Sequence, residues 1–208
     1  YNPVDTDLFR PAENREAIRA ALSIPSGAFV IACGATGLFN PVKGGHFIPL
    51  ALEELYRRGH RNLHLLLFGN QEKSVEFPFP STNAGFITDM KELAGLYSAA
   101  DMFLNPTLQD VLSNVALESM ACKTPSVTFR TGGVPEVVLD GKTGLVAPQG
   151  DLHQLAGHCE RLIHDRALRL SLAEEGRKHA EQTFSYPVIA AKHAALYEET
   201  LREYRREG

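Results

Sequence analysis

The chain has 208 residues, of which 44% are hydrophobic. A chain of this length buries roughly 70% of the surface that it would expose unfolded, so the composition excludes a disordered protein and predicts a packed core that needs no disulfides. The net charge of −4 argues against a protein that grips a nucleic-acid backbone, and we expect no nucleic-acid partner.

The first half of the chain alternates between helix-like and strand-like segments. Residues 12–22 are amphipathic, and residues 28–33 form an apolar run typical of a parallel strand that is buried on both faces. A helix is predicted over residues 45–58, although Pro49 should kink it or move its start to about Ile48. The other predicted elements of this half are a strand at 62–68, a loop at 71–82, a short strand at 84–87, and a helix at 90–99 with Asp89 as its N-cap.

The second half continues the alternation. Strands are predicted at 101–104, 126–129 and 145–147, and helices at 114–122, 151–164, 167–182 and 188–206. Strands joined by helices form a parallel sheet with right-handed connections and both faces covered. We therefore predict an α/β fold with a doubly wound parallel sheet, whose ligand lies beyond the carboxyl ends of the strands.

Neither apolar runs nor cysteines indicate a membrane or secreted protein. The longest apolar runs are far shorter than the ~18–20 residues that span a bilayer, so we expect no insertion into a membrane. Three widely spaced cysteines, Cys33, Cys122 and Cys159, fit unpaired thiols in a reducing compartment, and we expect a cytoplasmic location. The histidines show no spacing typical of metal ligands, and we expect no metal site.

The loop after the first strand carries a candidate phosphate-binding sequence, GATGLFNPVKGG, from Gly34 to Gly45. Its glycines allow backbone N–H groups to approach an anion closely, and Lys43 adds a positive charge. The sequence matches neither of the common glycine-rich nucleotide motifs. An ordinary turn with an exposed lysine is therefore the alternative.

Two acidic residues flank the start of the predicted helix at 114–122. Asp110 precedes the helix, and Glu118 lies one turn into it, roughly 6 Å along the axis. The unpaired first-turn N–H groups of residues 112–115 would face the crevice and could hold a pyrophosphate. A carboxylate beside a phosphate is repulsive unless it accepts hydrogen bonds, which sugar hydroxyls donate, so the arrangement indicates a nucleotide sugar. The alternative is a turn residue at 110 and a solvated helix face at 118.

A third loop, Gly132–Glu136 (GGVPE), follows the predicted strand at 126–129. Its glycines would permit the close approach of a ligand or a partner domain. Taken singly, it also fits an ordinary loop.

Together, these motifs resemble the C-terminal, donor-binding domain of a retaining glycosyltransferase of the GT-B fold, in family 4 (glycosyl transferases group 1). The motifs that carry the resemblance are NPVDTDLFRP at 2–11, PVKG at 41–44, GFI at 85–87, LAGLYSAAD at 93–101, the stretch 110–125, and GGVPE at 132–136 with the glycines at 141–144. The resemblance implies a Rossmann-like domain over residues 11–186, after a remnant of the interdomain linker at 1–10. It also implies a C-terminal helix at 187–208 that returns toward the enzyme's N-terminal domain and exposes apolar residues such as Ile189, Ala190 and Leu196.

The resemblance also assigns roles to individual residues. Lys43 would contact the donor diphosphate, the backbone around Ile87 the nucleobase, and Glu118 the ribose hydroxyls. Asp110 occupies the first acidic position of the family's Glu-x7-Glu motif and would orient the donor sugar. The expected catalytic residues are Lys43, Asp110 and Glu118. The expected donor-binding residues are Gly34, Lys43, Ile87, Asp110, Leu112, Ser113, Asn114, Val115 and Glu118.

The chain departs from the family pattern at three places. Ala35 and Thr36 stand where members often have an arginine, so one cationic contact to the diphosphate is expected to be missing. Asp110 is one methylene shorter than the usual glutamate, which bears on the identity of the donor sugar. Lys123 replaces the usual glycine and affects the local turn.

The resemblance implies transfer of a hexosyl group from a UDP- or GDP-sugar to a glycan or lipid-linked acceptor, with retention of the anomeric configuration. It implies no cofactor and no metal, because Lys43 and the helix N-terminus would stabilise the leaving diphosphate. We expect the isolated domain to be inactive without the acceptor-binding domain and to work in the cytoplasm, peripheral at the inner membrane face. Two alternatives remain open: a non-catalytic nucleotide-sugar-binding subunit of a glycosyltransferase assembly, and a GT-B nucleotide-sugar epimerase.

Overall fold

The fold is organised by a six-stranded sheet. The computed structural model describes residues 1–70 and 75–207. The strands are β1 (Phe29–Gly34), β2 (Leu63–Phe68), β3 (Ser81–Asn83), β4 (Met102–Asn105), β5 (Ser126–Phe129) and β6 (Gly144–Ala147). The α-helices are α1 (Arg15–Ala21), α2 (Phe47–Arg57), α3 (Met90–Ala99), α4 (Asn114–Ala121), α5 (Val134–Val137), α6 (Leu152–His164), α7 (Arg166–His179) and α8 (Tyr186–Glu207), with a 3₁₀ turn at Pro41–Lys43 and a π-helical turn at Ala180–Phe184.

The strand order is β3-β2-β1-β4-β5-β6, and every neighbouring pair is parallel. This confirms the predicted doubly wound, Rossmann-like parallel sheet. The chain runs outward in one direction from β1 to β3 and in the other from β4 to β6. The order therefore reverses between β1 and β4, and that reversal opens a crevice at the carboxyl ends of these two strands.

The apolar run of β1 is explained by the two cores that it serves. Val30 and Ala32 point into one hydrophobic cluster, and Ile31 and Cys33 point into the other, because successive side chains of a strand face opposite sides of the sheet. The first cluster lies under α1, α3 and α4, and the second lies under α2 and α6. A strand buried on both faces forms a nearly continuous apolar run, as the sequence predicts for β1.

A buried ion pair fixes α1 to the start of β4. Asp101 accepts hydrogen bonds from the guanidinium groups of Arg15 and Arg19, each at 2.8 Å, and from the backbone N–H of Val30 at 2.8 Å. Burial would raise the pKa of Asp101, but the charge of Arg15, the Val30 amide and the charge of Arg19 together hold it below its usual range. The network anchors the central strands on which the crevice is built.

The predicted strand at 84–87 is wrong in its position. The sheet edge is formed by β3, which pairs with β2 through Leu65 and Ser81, and it ends before Gly85. Gly85 has a φ of +70°, and its N–H donates to the side chain of Asn83 at 2.9 Å, so the chain turns away from the sheet there. All three β3 residues are polar, and two of their side chains are exposed, so no apolar pattern in the sequence reveals the strand. In the predicted loop at 71–82, residues 71–74 lie outside the described residues.

Prolines near helix starts disturb the fold less than the sequence suggests. α2 begins at Phe47 and α8 at Tyr186, so Pro49 and Pro187 both fall in a first turn, where backbone N–H groups have no helical partner. Asp89 caps α3 as predicted, accepting from the N–H of Lys91 at 2.8 Å.

The N-terminal segment and the start of α8 pack against the domain. In the predicted linker at 1–10, Val4 and Phe9 are buried in the first cluster, and the N–H of Val4 donates to the carbonyl of Phe184. Of the apolar residues expected to be exposed on α8, Ala190 and Leu196 are exposed and Ile189 is buried. Within the described residues, no helix has the length and apolar character needed to cross a bilayer.

Candidate functional site

A cavity of about 400 Å³ opens at the carboxyl end of the sheet, at the reversal of strand order. Its volume lies within the roughly 300–1,000 Å³ typical of small-molecule sites. The lining residues come from the ends of the first four strands, the loops that follow them, and helices α3 and α4. They are Ala35, Thr36, Lys43, Phe68, Gly69, Phe86, Ile87, Met90, Leu93, Tyr97, Asn105, Asp110, Leu112, Asn114, Val115 and Glu118.

Most of the predicted donor-binding residues line this cavity, and Gly34 and Ser113 lie behind its wall. A Cβ on Gly34 would stand 2.0 Å from the ring of Phe68, so this glycine gives the ring its place at the cavity wall. Ser113 is fully buried, and its hydroxyl accepts a hydrogen bond from the Asn105 amide at 2.9 Å. Gly34 and Ser113 therefore both support the packing directly beneath the cavity.

Lys43 reaches the cavity because two loops are held together below it. The carbonyl of Val42 accepts hydrogen bonds from the N–H of Leu108 at 2.9 Å and from the hydroxyl of Thr107 at 3.2 Å. Gly44 has a φ of +64°, and a Cβ there would lie 1.9 Å from the carbonyl oxygen of Pro106. A glycine is thus required both by the backbone conformation and by the close approach of the β4–α4 loop.

The two predicted charged residues of opposite sign meet at this point. Lys43 Nζ lies 3.2 Å from Asp110 Oδ2, and the side chains are 32% and 15% exposed. Ala35 and Thr36 line the same cavity without adding a charge. Among the described lining residues Lys43 is the single cation, and it is already paired with a carboxylate.

The Gly132–Glu136 loop supports Asp110. Cβ atoms on Gly132 and Gly133 would lie 1.9 Å and 2.0 Å from the carbonyl oxygens of Asp110 and Val111. The N–H of Gly133 also donates to the Asp110 carbonyl at 3.2 Å. The close approach expected of these glycines is therefore made to the acidic loop of the same domain.

Helix α4 starts at the cavity without a side-chain cap. Its N-cap residue is Ser113, which makes no capping hydrogen bond; its hydroxyl accepts a hydrogen bond from the Asn105 amide. Asn114 and Val115 of the first turn line the cavity. Uncapped first-turn N–H groups and the positive end of the helix dipole form an environment that favours an anion.

Glu118 is largely buried at the back of the cavity. The hydroxyl of Tyr97 donates a hydrogen bond to Glu118 Oε2 at 2.8 Å. Burial raises the pKa of Glu118 to about 7, and the hydrogen bond from Tyr97 acts in the opposite direction. Burial and the neighbouring Glu118 raise the pKa of Tyr97 well above its usual range, so its hydroxyl stays a donor. The carboxyl group of Glu118 is thus poised to change charge near neutral pH.

The apolar wall around Ile87 contains residues that sequence reasoning missed. Phe86 and Met90, which are 57% and 41% exposed, lie at this wall with Leu93 and Phe68. Phe86 lies within the GFI motif and Leu93 begins the LAGLYSAAD motif, whereas Met90 and Phe68 belong to neither, and only the folded chain brings the four together. Tyr97 belongs to the LAGLYSAAD motif, but only the fold shows that it contacts Glu118.

In the part of the chain that the structure describes, one group of three potential metal ligands occurs: His60, Glu160 and His164. His60 Nε2 lies 3.2 Å from Glu160 Oε1, and Arg58 Nη1 lies 2.7 Å from Glu160 Oε2. His60 precedes the start of β2, and the other end of this strand, Phe68, lines the cavity. At ~3.3 Å per residue, the length of β2 separates the three potential ligands from the cavity by about 20 Å. The guanidinium of Arg58 already neutralises this carboxylate.

Comparison with known proteins gives a consistent family. The model of the family described as "Glycosyl transferases group 1" matches residues 30–165. The D-inositol 3-phosphate glycosyltransferase of Corynebacterium glutamicum is 28% identical over 226 residues, a match that covers 98% of this chain and 52% of that protein. The chain thus spans about half the length of the curated relatives that it resembles.

Solved structures share the fold. Sucrose-phosphate synthase from Thermosynechococcus elongatus superposes with a TM-score of 0.82 and 26% identity, covering 97% of this chain and 52% of that one. Anabaena HepE, solved in complex with UDP-glucose, superposes with a TM-score of 0.81 and 20% identity, covering 96% of this chain and 56% of that one. The described domain therefore has the architecture of one half of a GT-B glycosyltransferase.

Proposed function

Because the chain belongs to the glycosyl transferases group 1 family, we propose that it is the nucleotide-sugar-binding half of a retaining glycosyltransferase, which transfers a hexosyl group from a nucleoside diphosphate sugar to an acceptor. The observation that carries this proposal is the convergence of Lys43, Asp110, Glu118 and the uncapped start of α4 on one cavity. Each group matches the chemistry of one part of such a donor.

The diphosphate would lie between Lys43 and the first turn of α4. An ammonium group and free backbone N–H groups are complementary to a diphosphate. To take up the phosphates, Lys43 would exchange its ion pair with Asp110 for one with the ligand. The affinity for the diphosphate then reflects the competition between these two anions for one cation.

The sugars of the donor would occupy the two acidic positions. Glu118 has one carboxylate oxygen engaged by Tyr97, and the ribose hydroxyls would donate to the other oxygen. Asp110 would accept hydrogen bonds from hydroxyls of the hexose. The apolar wall of Phe86, Ile87 and Met90 would receive the nucleobase, with backbone groups around Ile87 contacting its edge.

Catalysis would follow from electrostatic stabilisation of the leaving group. As the bond between the anomeric carbon and the diphosphate oxygen breaks, the sugar gains oxocarbenium character and the diphosphate gains negative charge. Lys43 and the N-terminus of α4 would stabilise that charge, the task that a divalent metal performs in other folds. Asp110 would hold the sugar beside the phosphate rather than attack it.

A thermal-shift screen with UDP-, GDP- and ADP-sugars tests the donor site directly. A ligand that binds the folded state raises the melting temperature by mass action. We expect at least one of these donors to raise it, and Lys43→Ala or Glu118→Ala to remove most of the shift. Lys142→Ala makes the same change on an exposed turn between α5 and β6 and should leave the shift unchanged.

Failure of every donor to shift the melting temperature would count against the proposal. A shift that survives Lys43→Ala would place the ligand elsewhere. Donor binding without transfer, once the acceptor-binding half is supplied, would instead favour a non-catalytic subunit.

The acceptor would be a glycan or a lipid-linked molecule, bound by a domain outside these residues. We propose a cytoplasmic location, peripheral at the inner membrane face. The buried, unpaired thiols of Cys33, Cys122 and Cys159 suit a reducing compartment.

A further inference from the structure

The environment of Tyr97 suggests a role beyond core packing. Its side chain is fully buried, and its ring makes edge-to-face contacts with Phe68 at 5.3 Å, Phe103 at 5.4 Å and Phe9 at 6.2 Å between centroids. Rings packed in this way allow little movement. The hydroxyl is therefore held at a fixed point at the back of the cavity.

The partner of that hydroxyl is Glu118 Oε2, at 2.8 Å. Within the described residues, no other group donates a hydrogen bond to this carboxylate and no cation pairs with it. Its orientation thus depends on one rigid donor. Tyr97 fixes one carboxylate oxygen, and the other accepts no hydrogen bond from the residues that the structure describes.

We propose that Tyr97 is a positioning residue of the nucleotide site, which orients the Glu118 carboxylate so that its free oxygen receives the hydroxyls of a ribose. This inference rests on the proposed function and adds a residue to it. The aromatic cluster fixes the tyrosine, the tyrosine fixes the carboxylate, and the carboxylate would select a ribonucleotide over its deoxy counterpart.

The charge state of Glu118 links the same contact to pH. The groups that face Glu118 are Tyr97 from α3, Cys122 from α4, Lys43 and Asp110 across the cavity, and Asp5 and Tyr186 on the side of the chain termini. Burial favours the protonated acid, and the Tyr97 hydrogen bond favours the carboxylate that the ribose needs. Without the hydroxyl, the pKa of Glu118 should rise further, and less of the carboxylate is present at neutral pH.

Tyr97→Phe removes only the hydroxyl and tests the proposal by titration calorimetry. The probes are UDP, GDP and ADP, each paired with its 2′-deoxy form, between pH 6 and pH 9. For the nucleotide that binds wild-type protein best, we expect the ribose form to bind about tenfold more tightly than the deoxy form. In Tyr97→Phe this preference should fall several-fold at pH 7 and recover in part at pH 9.

The ratio of the two affinities separates positioning from packing. A purely structural role of the hydroxyl would weaken ribose and deoxy ligands equally and leave the ratio and its pH profile unchanged, which would overturn the inference. Tyr56→Phe, a matched change on α2 at a 41% exposed site, should alter neither affinity. If Tyr97→Phe does not fold, Glu118→Gln serves as the second variant, since it keeps the tyrosine contact and should lose the ribose preference at every pH.

Loss of the proposed function has a different signature. If wild-type protein binds none of the nucleotides, the donor site itself is wrong and the inference falls with it. If wild-type protein binds ribose and deoxy forms equally, nucleotide binding stands but the role of Tyr97 and Glu118 is refuted.

Discussion

The ion pair between Lys43 and Asp110 makes an unusual prediction, because removing an acid from the proposed donor site should strengthen the binding of a nucleoside diphosphate. Asp110→Asn keeps the size of the side chain and removes its charge. Lys43 then loses its resident anion, and its ammonium group is free for the phosphates. The same change removes the acceptor that would orient the hydroxyls of the hexose.

The magnitude follows from two contributions. A partly exposed ion pair such as this one, at 3.2 Å, contributes about 0.2–1 kcal/mol. In Asp110→Asn the diphosphate no longer has to break this ion pair when it binds Lys43. A phosphate charge ~5 Å from the carboxylate would be repelled by about 1 kcal/mol even at the dielectric constant of water. Together, these contributions amount to about 1–2 kcal/mol, or roughly a 5- to 30-fold lower Kd for the diphosphate.

Titration calorimetry with a nucleoside diphosphate measures the effect of freeing Lys43. The same measurement with the matching nucleotide sugar shows what Asp110 contributes to binding of the hexose. In Asp110→Asn the Kd of the diphosphate should fall, and the extra affinity contributed by the hexose should disappear. Asp7→Asn makes the same change in net charge on an exposed side chain of the N-terminal segment and should alter neither value. An unchanged or higher Kd for the diphosphate in Asp110→Asn would refute the reasoning.

Three further predictions concern stability. The pKa of Glu118 is raised from 4.5 to about 7, so its carboxyl group destabilises the fold progressively as the pH rises from 4.5 to 7. In urea unfolding at pH 8, Glu118→Gln should therefore be more stable than wild-type protein by up to about 3 kcal/mol. Near pH 4 the two proteins should be equally stable. Gly132 has a φ of +47°, and a Cβ there would lie 1.9 Å from the Asp110 carbonyl oxygen, so Gly132→Ala should lower the melting temperature and remove the affinity that the hexose contributes to donor binding. Gly141→Ala, at a φ of +70° with no atom within 4 Å, should cost only about 1 kcal/mol and leave donor binding unchanged. Asp101→Ala should lower the free energy of unfolding by about 3–5 kcal/mol, because it leaves the buried guanidinium of Arg19 without its carboxylate. A loss below about 1 kcal/mol would contradict this account.

The sheet could be predicted from the sequence because its signal is local. The apolar runs of β1 and β2 are long enough to indicate strands buried on both faces, and helical crossovers then dictate a parallel sheet. β3 could not be predicted in this way, because its residues are polar and lie at the edge of the sheet. Its end is set by the left-handed conformation of Gly85, which has no apolar signal in the sequence.

The candidate site could be predicted only as far as its loops. The rule that ligands bind beyond the carboxyl ends of parallel strands points to the end of the sheet where the cavity opens, and Lys43 and Glu118 both line that cavity. The pairing of Lys43 with Asp110 depends on Val42 and Gly44, which hold two distant loops together. No fixed spacing in the sequence marks a contact between two distant loops, so this ion pair can be found only from the folded chain.

The start of α4 shows why the binding residues are also residues that reduce stability. Ser113 is of a type that commonly caps a helix, yet its hydroxyl is engaged with Asn105 and the first turn keeps its N–H groups free. One turn further, Glu118 holds a carboxyl group that is buried without a cation. A single ligand that places an anion at the free N–H groups of α4 and donates hydroxyl hydrogen bonds to the Glu118 carboxylate would offset both destabilising features. Donor binding should therefore stabilise the wild-type domain more at pH 8 than at pH 5, since only the ionised Glu118 has a cost to relieve.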